Sequence, residues 1–209
     1  RNTGDVIKMC VEKEKRAAIA IHHSATHLVH AALREILGDH VQQKGSLVDE
    51  NKLRFDFSHS KPLSSEEILA IETIVNKEAL KNLEVKTELM KLDDALKSGA
   101  MALFGEKYDD DVRVLTMGEN SYSVELCGGT HVERTGDVGF FAITSQSSVA
   151  SGIRRIEAVA GIKALEYINT VRNATSSIQK ILNVSVDDIE EKIKSLLDEN
   201  KNLKKADKK

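Results

Sequence analysis

The most regular stretch of the chain is RAAIAIHHSATHLVHAALREILG, residues 16–38. Its apolar residues recur every three or four positions, as on the buried face of an α-helix. They are Ala17, Ala18, Ile21, Ala25, Leu28, Val29, Ala32, Leu33 and Ile36. Gly38 follows the last of them, where glycine is typical of a left-handed helix cap. The sequence therefore predicts a long amphipathic helix that ends at Gly38.

Further strands and helices follow this helix along the chain. Residues 40–48 and 53–57 are strand-like on either side of a polar turn, which predicts a hairpin. Ser64 and Glu67 have the spacing of a capping box, which predicts a helix over 65–82. Other strands are expected near 84–90, 112–117, 122–126, 138–146 and 153–159, with a short helix near 92–98. This mixture predicts an α+β fold with a largely antiparallel sheet packed with helices.

The composition changes after Gly161, which predicts a domain over 1–160 and a C-terminal helical extension over 161–209. Two helices are expected in the extension, at 162–182 and about 186–205. Apolar residues in the second step by three and four, as in a short heptad seam. They are Val186, Ile189, Ile193, Leu196 and Leu203. A coiled coil and a helix packed on its own domain both fit so short a seam.

The bulk composition limits the classes of function. The formal net charge of the 209 residues is −3, so any contact with nucleic acid must come from local clusters of Arg and Lys. Cys10 and Cys127 form no disulfide-like framework, which favours a reducing, cytoplasmic compartment. Alternating apolar residues over 1–14 predict a short strand, in which Cys10 is expected to be a small buried hydrophobe. No apolar run reaches the length of a membrane span, and the start at Arg1 indicates a piece of a longer protein.

Three histidines of the long helix, His23, His27 and His30, fall on one helical face. Two imidazoles four residues apart on a helix project the same way and can hold one metal ion. The competing interpretation is a helix whose polar side chains bond water or backbone. The other histidines of the first sixty residues are expected to lie away from a metal: His22, His40 and His59.

Cys127 and His131 repeat the four-residue spacing after a predicted strand. The two glycines between them disfavour a helix, so a tight turn must bring the thiol and the imidazole together. With a histidine pair from the helix, they supply the four nitrogen and sulfur ligands that zinc prefers. Four protein ligands close a tetrahedral site. A catalytic role therefore requires that one ligand is displaced, that the zinc expands its coordination, or that zinc positions the substrate.

Six stretches of the chain resemble, in order, the editing region of alanyl-tRNA synthetases, which is shared with free-standing alanyl-tRNA editing proteins and with the editing domain of threonyl-tRNA synthetases. The stretches are 23–34, 43–48, 53–59, 99–108, 127–131 and 152–159. The fourth stretch and the helical tail resemble the full synthetases more than the free-standing proteins. The resemblance implies that the tail leads to an oligomerisation domain, and that an ATP-using aminoacylation domain would precede Arg1.

The resemblance implies hydrolysis of the ester that joins serine or glycine to the terminal adenosine of alanine tRNA. In the family, zinc is held by the residues that match His23, His27, Cys127 and His131. Thr26 and Gln43 are the residues expected to orient water or to read the amino acid. For Thr26 the competing interpretation is a β-branched residue packed in a helix, and for Gln43 it is an exposed strand amide.

Basic residues in the matching stretches are candidates for binding the phosphates of the tRNA(Ala) acceptor end. They are Lys44, Arg54, Arg154 and Arg155. Neighbouring strand residues face opposite ways, so at most one of the last two lines the site. Asp56 is expected to pair with Arg54 or Arg155 rather than to act as a base. Gly128 and Gly129 would let the backbone approach the adenosine closely, although their simpler role is the turn itself.

Three other functions fit parts of the pattern. A zinc-stapled structural or RNA-binding module would use the same four ligands without catalysis. A metallohydrolase for small substrates is the second, although His-Ser-Ala-Thr-His lacks the Glu that serves as base in His-Glu-x-x-His proteases. The third is an oligomerisation fragment that acts through its helical tail.

Overall fold

The computed structural model describes residues 6–102 and 108–206. Its helices are α1 (Lys13–Leu37), α2 (Ser65–Leu80), α3 (Leu92–Lys97), α4 (Ile162–Leu182) and α5 (Ile189–Ala206). Its strands are β1 (Gln43–Val48), β2 (Leu53–Ser58), β3 (Lys86–Lys91), β4 (Asp111–Met117), β5 (Ser123–Leu126), β6 (Phe141–Ala150) and β7 (Ile153–Ala160). A turn of 3₁₀ helix, Thr135–Val138, precedes β6. The helices and strands predicted from residue 16 onward are confirmed, with ends displaced by a few residues.

The strands form two sheets, and every strand pair in them is antiparallel. The larger sheet has the order β1-β2-β7-β6, and the smaller has the order β3-β4-β5. β7 lies between β2 and β6, so strands far apart in sequence become neighbours and Phe55 lies opposite Ile156. The predicted α+β fold is confirmed. Its division into two sheets follows from pairings that local patterns do not specify.

The long helix α1 lies against both sheets. It contacts β1, β2 and β7 of the larger sheet and β5 of the smaller one. Leu28 and Val29 of α1 are fully buried, in the same core as Phe55, Phe57 and Ile156. Burying each such side chain stabilises the fold by about 1.5–3 kcal/mol. This packing fixes which face of α1 is turned toward β5.

Helix ends follow the predicted signals. Ser64 Oγ accepts a hydrogen bond from the Glu67 N–H, and Glu67 Oε2 accepts one from the Ser64 N–H at 2.7 Å. The capping box at the start of α2 is therefore confirmed. α1 ends before Gly38, whose φ of 112° is positive and whose N–H donates to the Arg34 carbonyl. Its ψ of 171° turns the chain out into an extended path rather than a left-handed helical one.

The N-terminal segment differs from the prediction. Residues 6–12 belong to no helix or strand, and Cys10 is exposed rather than buried. Alternating apolar residues form a stable strand only where a neighbour satisfies the backbone, and no strand among the described residues pairs with this segment. The rest of the predicted strand, residues 1–5, lies outside the described residues, as do residues 103–107 of the matching stretch 99–108.

The chain divides into two compact units, one up to Ala164 and one from Leu165 onward. In the second unit, the seam residues Ile193, Leu196 and Leu203 of α5 are all at least 40% exposed. The coiled coil and the roles assigned to the two predicted domains stay predictions. None of the described helices combines the length and the apolar character that a membrane span requires.

Candidate metal centre

Two elements meet at a cluster of ligand atoms. α1 supplies His23 and His27, of which His27 is only 6% exposed. β5 ends at Leu126, and the turn after it supplies Cys127 and His131. One nitrogen of each histidine and the cysteine sulfur all lie within 4.8 Å of one another. The structure thus brings together all four residues that the two motifs named.

The nitrogens of the cluster converge on the sulfur. Cys127 Sγ lies 3.2 Å from Nε2 of His131 and 3.5 Å from Nε2 of His23. Nε2 of His27 is buried and has no hydrogen-bond partner among the described residues. A buried imidazole nitrogen without a partner is costly, and a cation at this point would satisfy it. Three imidazole nitrogens and one sulfur form the kind of donor set that zinc prefers.

Burial and nearby charge set the protonation of the cluster. Burial disfavours the Cys127 thiolate, but hydrogen bonds from His131 and His23 outweigh burial and lower the pKa of the thiol to about 3. Burial also disfavours the protonated form of His27, but the carboxylate of Glu125 outweighs it and raises the pKa of the imidazole to about 10. The cluster therefore favours a thiolate with positive charge beside it. A divalent cation can supply that charge in place of protons, so the residues fit a metal ion.

Two residues outside the ligand set contact its imidazoles. Ser24 Oγ lies 3.3 Å from Nδ1 of His131, and Glu125 Oε2 lies 2.9 Å from Nδ1 of His27. Both contacts use the nitrogen that does not face the sulfur. Neither residue was predicted from the sequence, where their only signal was their position. Ser24 lies inside the helical motif, and Glu125 lies two residues before Cys127.

Arg113 of β4 holds the turn that follows Cys127. Its guanidinium donates to the carbonyl oxygens of Cys127 and Gly129. A Cβ at position 129 would overlap the imidazole of His23, whereas a Cβ at Gly128 would meet nothing within 4 Å. Glycine is therefore required at position 129 by the space that His23 occupies. Nothing in the local sequence singled out Arg113, because it is one polar residue in an alternating strand.

A cavity of about 290 Å³ lies beside the cluster. It is lined by His30, Arg34, Val41, Gln42, Gln43, Met101, Ala102 and Glu125. Gln43 faces it from the start of β1 and donates to Ser46 Oγ at 3.3 Å, and Lys44 donates to the Gln42 side chain at 3.2 Å. Since Glu125 also contacts His27, one side chain separates the cavity from the metal ligands. The structure thus places Gln43 at the cavity.

Thr26 lies next to His27 on α1 and is 4% exposed. Its hydroxyl donates to the His22 carbonyl, one helical turn back, at 2.9 Å. The proton is thereby engaged within the helix, and the oxygen retains the capacity to accept a hydrogen bond. Such a contact is expected for a β-branched residue packed in a helix, so the catalytic role of Thr26 stays a prediction.

The arginines that are candidates for phosphate binding are mostly paired across the sheet. Arg155 donates to both carboxylate oxygens of Asp56, at 2.7 and 2.8 Å, which confirms the pairing predicted for Asp56. Arg54 Nε lies 3.8 Å from the same carboxylate. Arg154 instead donates to Gln146 at 3.2 Å, so Arg154 and Arg155 face different partners. Phosphate binding by these arginines stays a prediction.

The histidines predicted to lie elsewhere do so. His22 Nδ1 is 3.0 Å from a backbone oxygen of the β1–β2 turn. His40 and His59 lie side by side, with 3.0 Å between Nε2 of the first and Nδ1 of the second. His30, the rival ligand on the helix, faces Glu125 instead of the sulfur. The four-residue set is therefore the one that the structure assembles.

Comparison with known proteins places this arrangement in a class. Residues 112–157 match the family described as "Threonyl and Alanyl tRNA synthetase second additional domain". Alanine–tRNA ligases from Saccharophagus degradans, Parvibaculum lavamentivorans and Pseudomonas fluorescens are each 52% identical to the chain over 97% of its length. The chain spans about 23% of the length of each ligase.

The chain therefore carries a domain of the threonyl and alanyl tRNA synthetase class. Within that class it is similar to the alanine–tRNA ligases, of which it matches one segment. The resemblance to alanyl-tRNA synthetases is confirmed.

Proposed function

We propose that this chain hydrolyses the ester of tRNA(Ala) mischarged with serine or glycine, at a zinc site formed by His23, His27, Cys127 and His131. The observation that carries the proposal is the convergence of these four ligand atoms within 4.8 Å. The similarity to alanine–tRNA ligases supports tRNA as the partner. The thiolate and imidazole donors support zinc over magnesium or calcium, which prefer oxygen ligands.

When bound, zinc would supply Lewis acidity and a fixed positive charge next to the ester. The chain's own residues hold the other parts in place. Ser24 and Glu125 orient two of the ligand rings. Gln43 offers an amide at the cavity wall, where it can orient water or the amino group of the substrate. The cavity, about 290 Å³, is near the lower end of ligand pockets, about 300 Å³, and lies across Glu125 from the metal ligands.

Discrimination against the correct amino acid is a chemical problem rather than one of size. Glycine is smaller than alanine and serine is larger, so no single size limit admits both and rejects alanine. A site that accepts a hydrogen bond from the serine hydroxyl disfavours alanine, which leaves the acceptor unpaired. The Thr26 oxygen, whose own proton is engaged by His22, has the acceptor capacity for this role.

The remaining assignments follow from the same proposal. Lys44, Arg54 and Arg155 bind the phosphates of the acceptor end, and Gly128 and Gly129 lie against the terminal adenosine. Residues 1–160 form the editing domain in the cytoplasm, where Cys127 stays reduced. Residues 161–209 lead toward an oligomerisation domain and support a homo-oligomer. ATP-dependent alanine ligation is proposed only for a protein with the full length of the relatives.

The test is release of the amino acid from Ser-tRNA(Ala) and Gly-tRNA(Ala), with correct Ala-tRNA(Ala) alongside. The zinc-loaded chain is expected to release serine or glycine faster than alanine. His27→Ala should abolish the release because it removes a metal ligand. His40→Ala is the matched control, since His40 is exposed and its imidazole contacts that of His59 rather than the ligand cluster. Equal rates for His27→Ala and the parent would contradict the proposal.

A structural role for zinc is the second candidate, and the closed count of four protein ligands favours it. In that case the chain would bind zinc and tRNA but release no amino acid from any of the three esters. Chelation would then lower the unfolding temperature without a matching catalytic loss. The same assay therefore separates the two functions.

A further inference from the structure

Glu125 is buried between two histidines of α1, and neither ligand motif includes it. Its side chain is 5% exposed. Oε2 lies 2.9 Å from Nδ1 of His27, and Oε1 lies 2.9 Å from Nδ1 of His30. Both carboxylate oxygens are thus engaged by imidazoles one turn apart on the same helical face. The contacts join β5 to α1 directly beneath the ligand cluster.

The contact with Glu125 determines which nitrogen of His27 is left for a metal. An imidazole has two nitrogens, and when one faces a carboxylate the other is the one that faces a ligand. Nδ1 of His27 lies 2.9 Å from the Glu125 carboxylate, which leaves Nε2 as the nitrogen that can face a metal. A flip of the His27 ring would turn Nδ1 instead of Nε2 toward Cys127.

His30 holds the other end of the carboxylate. It is 4% exposed, its ring lies 5.2 Å from that of Phe55, and its Nδ1 hydrogen bonds with Glu125 at 2.9 Å. Packing against the core fixes the His30 ring, and the hydrogen bond then fixes the carboxylate. The third histidine on the helical face is therefore explained by an anchoring contact rather than by the metal.

We propose that Glu125 is the positioning residue of the cluster, which holds His27 with Nε2 toward the other three ligands and is itself held by His30. The inference rests on the proposed zinc site. It predicts that removing the negative charge at position 125 weakens metal binding although no ligand is lost. Losses of about 10–100-fold in affinity are typical when such a supporting contact is removed.

The experiment compares zinc affinity, by competition with a chromophoric chelator, for the parent chain, Glu125→Gln and His30→Leu. Glu78→Gln is the matched control, because Glu78 is another buried carboxylate, 6% exposed, which pairs with Lys81 and accepts a hydrogen bond from the Glu119 N–H. Circular dichroism reports folding of each variant. Co²⁺ is used as a second probe, since its absorption reports both the thiolate bond and the coordination geometry.

The expected result is a folded Glu125→Gln chain with about 10–100-fold weaker zinc binding, a smaller loss in His30→Leu, and parent affinity in Glu78→Gln. The Co²⁺ spectrum should keep its sulfur charge-transfer band, because Cys127 is present, and lose tetrahedral intensity. Parent affinity in a folded Glu125→Gln overturns the inference and leaves the zinc site standing. If Glu125→Gln does not fold, His30→Leu decides by the same criterion. A parent chain that binds no zinc overturns both proposals.

Discussion

The two halves of the ligand cluster share a four-residue spacing but are built differently. In the helical half, His23 and His27 project the same way because residues four apart in a helix lie on one face. In the turn half, Cys127 and His131 are separated by two glycines and a threonine, and no regular backbone fixes their distance. The turn depends on contacts from elsewhere in the chain, chiefly Arg113 on its carbonyl oxygens.

This difference determines what each half tolerates. The helix that carries His23 and His27 also packs into the core of the first unit, where Leu28 and Val29 are fully buried. Substitutions in this helix should therefore lower the stability of the fold as well as the zinc affinity. The turn half lies at the end of β5 and is held by a few polar contacts. Changes there should impair zinc binding while the fold survives.

The largest expected effect is that of Gly129→Ala. A methyl group at this position overlaps the His23 ring, so the turn half would push a helical ligand out of place. We expect zinc affinity to fall by at least about 100-fold, since such a change exceeds the loss of a supporting contact. Competition with a chromophoric chelator measures it. Gly128→Ala is the matched control, because nothing lies within 4 Å of its added carbon, and equal losses in both variants would refute the steric reason.

A smaller loss is expected for Arg113→Gln. The variant removes the guanidinium that bonds the carbonyls of Cys127 and Gly129, so the turn loses its support while all four ligands remain. We expect zinc affinity to fall by about 10-fold and the unfolding free energy to fall by about 1–3 kcal/mol. Thr87→Ala controls for the other contact of Arg113, at 3.4 Å. Parent affinity in Arg113→Gln would show that the turn needs no such support.

The same contrast explains how much of the site the sequence could predict. The spacing of His23 and His27 was sufficient because a helix converts spacing into geometry locally. The contacts of Glu125 and Arg113 were missed because they depend on which strands pair and on how α1 crosses them. Period-two alternation predicted the strands, but not the order that inserts β7 between β2 and β6. Near the N-terminus, alternation without a partner strand gave the wrong prediction for Cys10.

Removal of zinc should distinguish the halves without any mutation. The amide of Cys127 donates to the Arg113 carbonyl, and the amide of Val132 donates to Ser24. These bonds belong to the turn half, so a chelator should increase hydrogen exchange there by more than in α1, whose amides are protected by the helix itself. Peptides from the β1–β2 hairpin serve as the control. An equal increase in α1 would mean that both halves depend on the metal alike.

The smallest expected effect concerns Thr26→Val in the helical half. Valine keeps the shape and β-branching, so the core packing stays, and the ligands His23 and His27 are untouched. Zinc affinity should therefore match that of the parent chain. Loss of the hydroxyl oxygen removes one acceptor for the serine side chain, so release of serine should slow by up to about 10-fold, the size of one neutral hydrogen bond. Glycine release, which offers no hydroxyl, should be unchanged. If both rates are unchanged, the Thr26 hydroxyl has only a structural role in the helix. If zinc affinity falls, the hydrogen bond from Thr26 to the His22 carbonyl contributes to the geometry of the ligands.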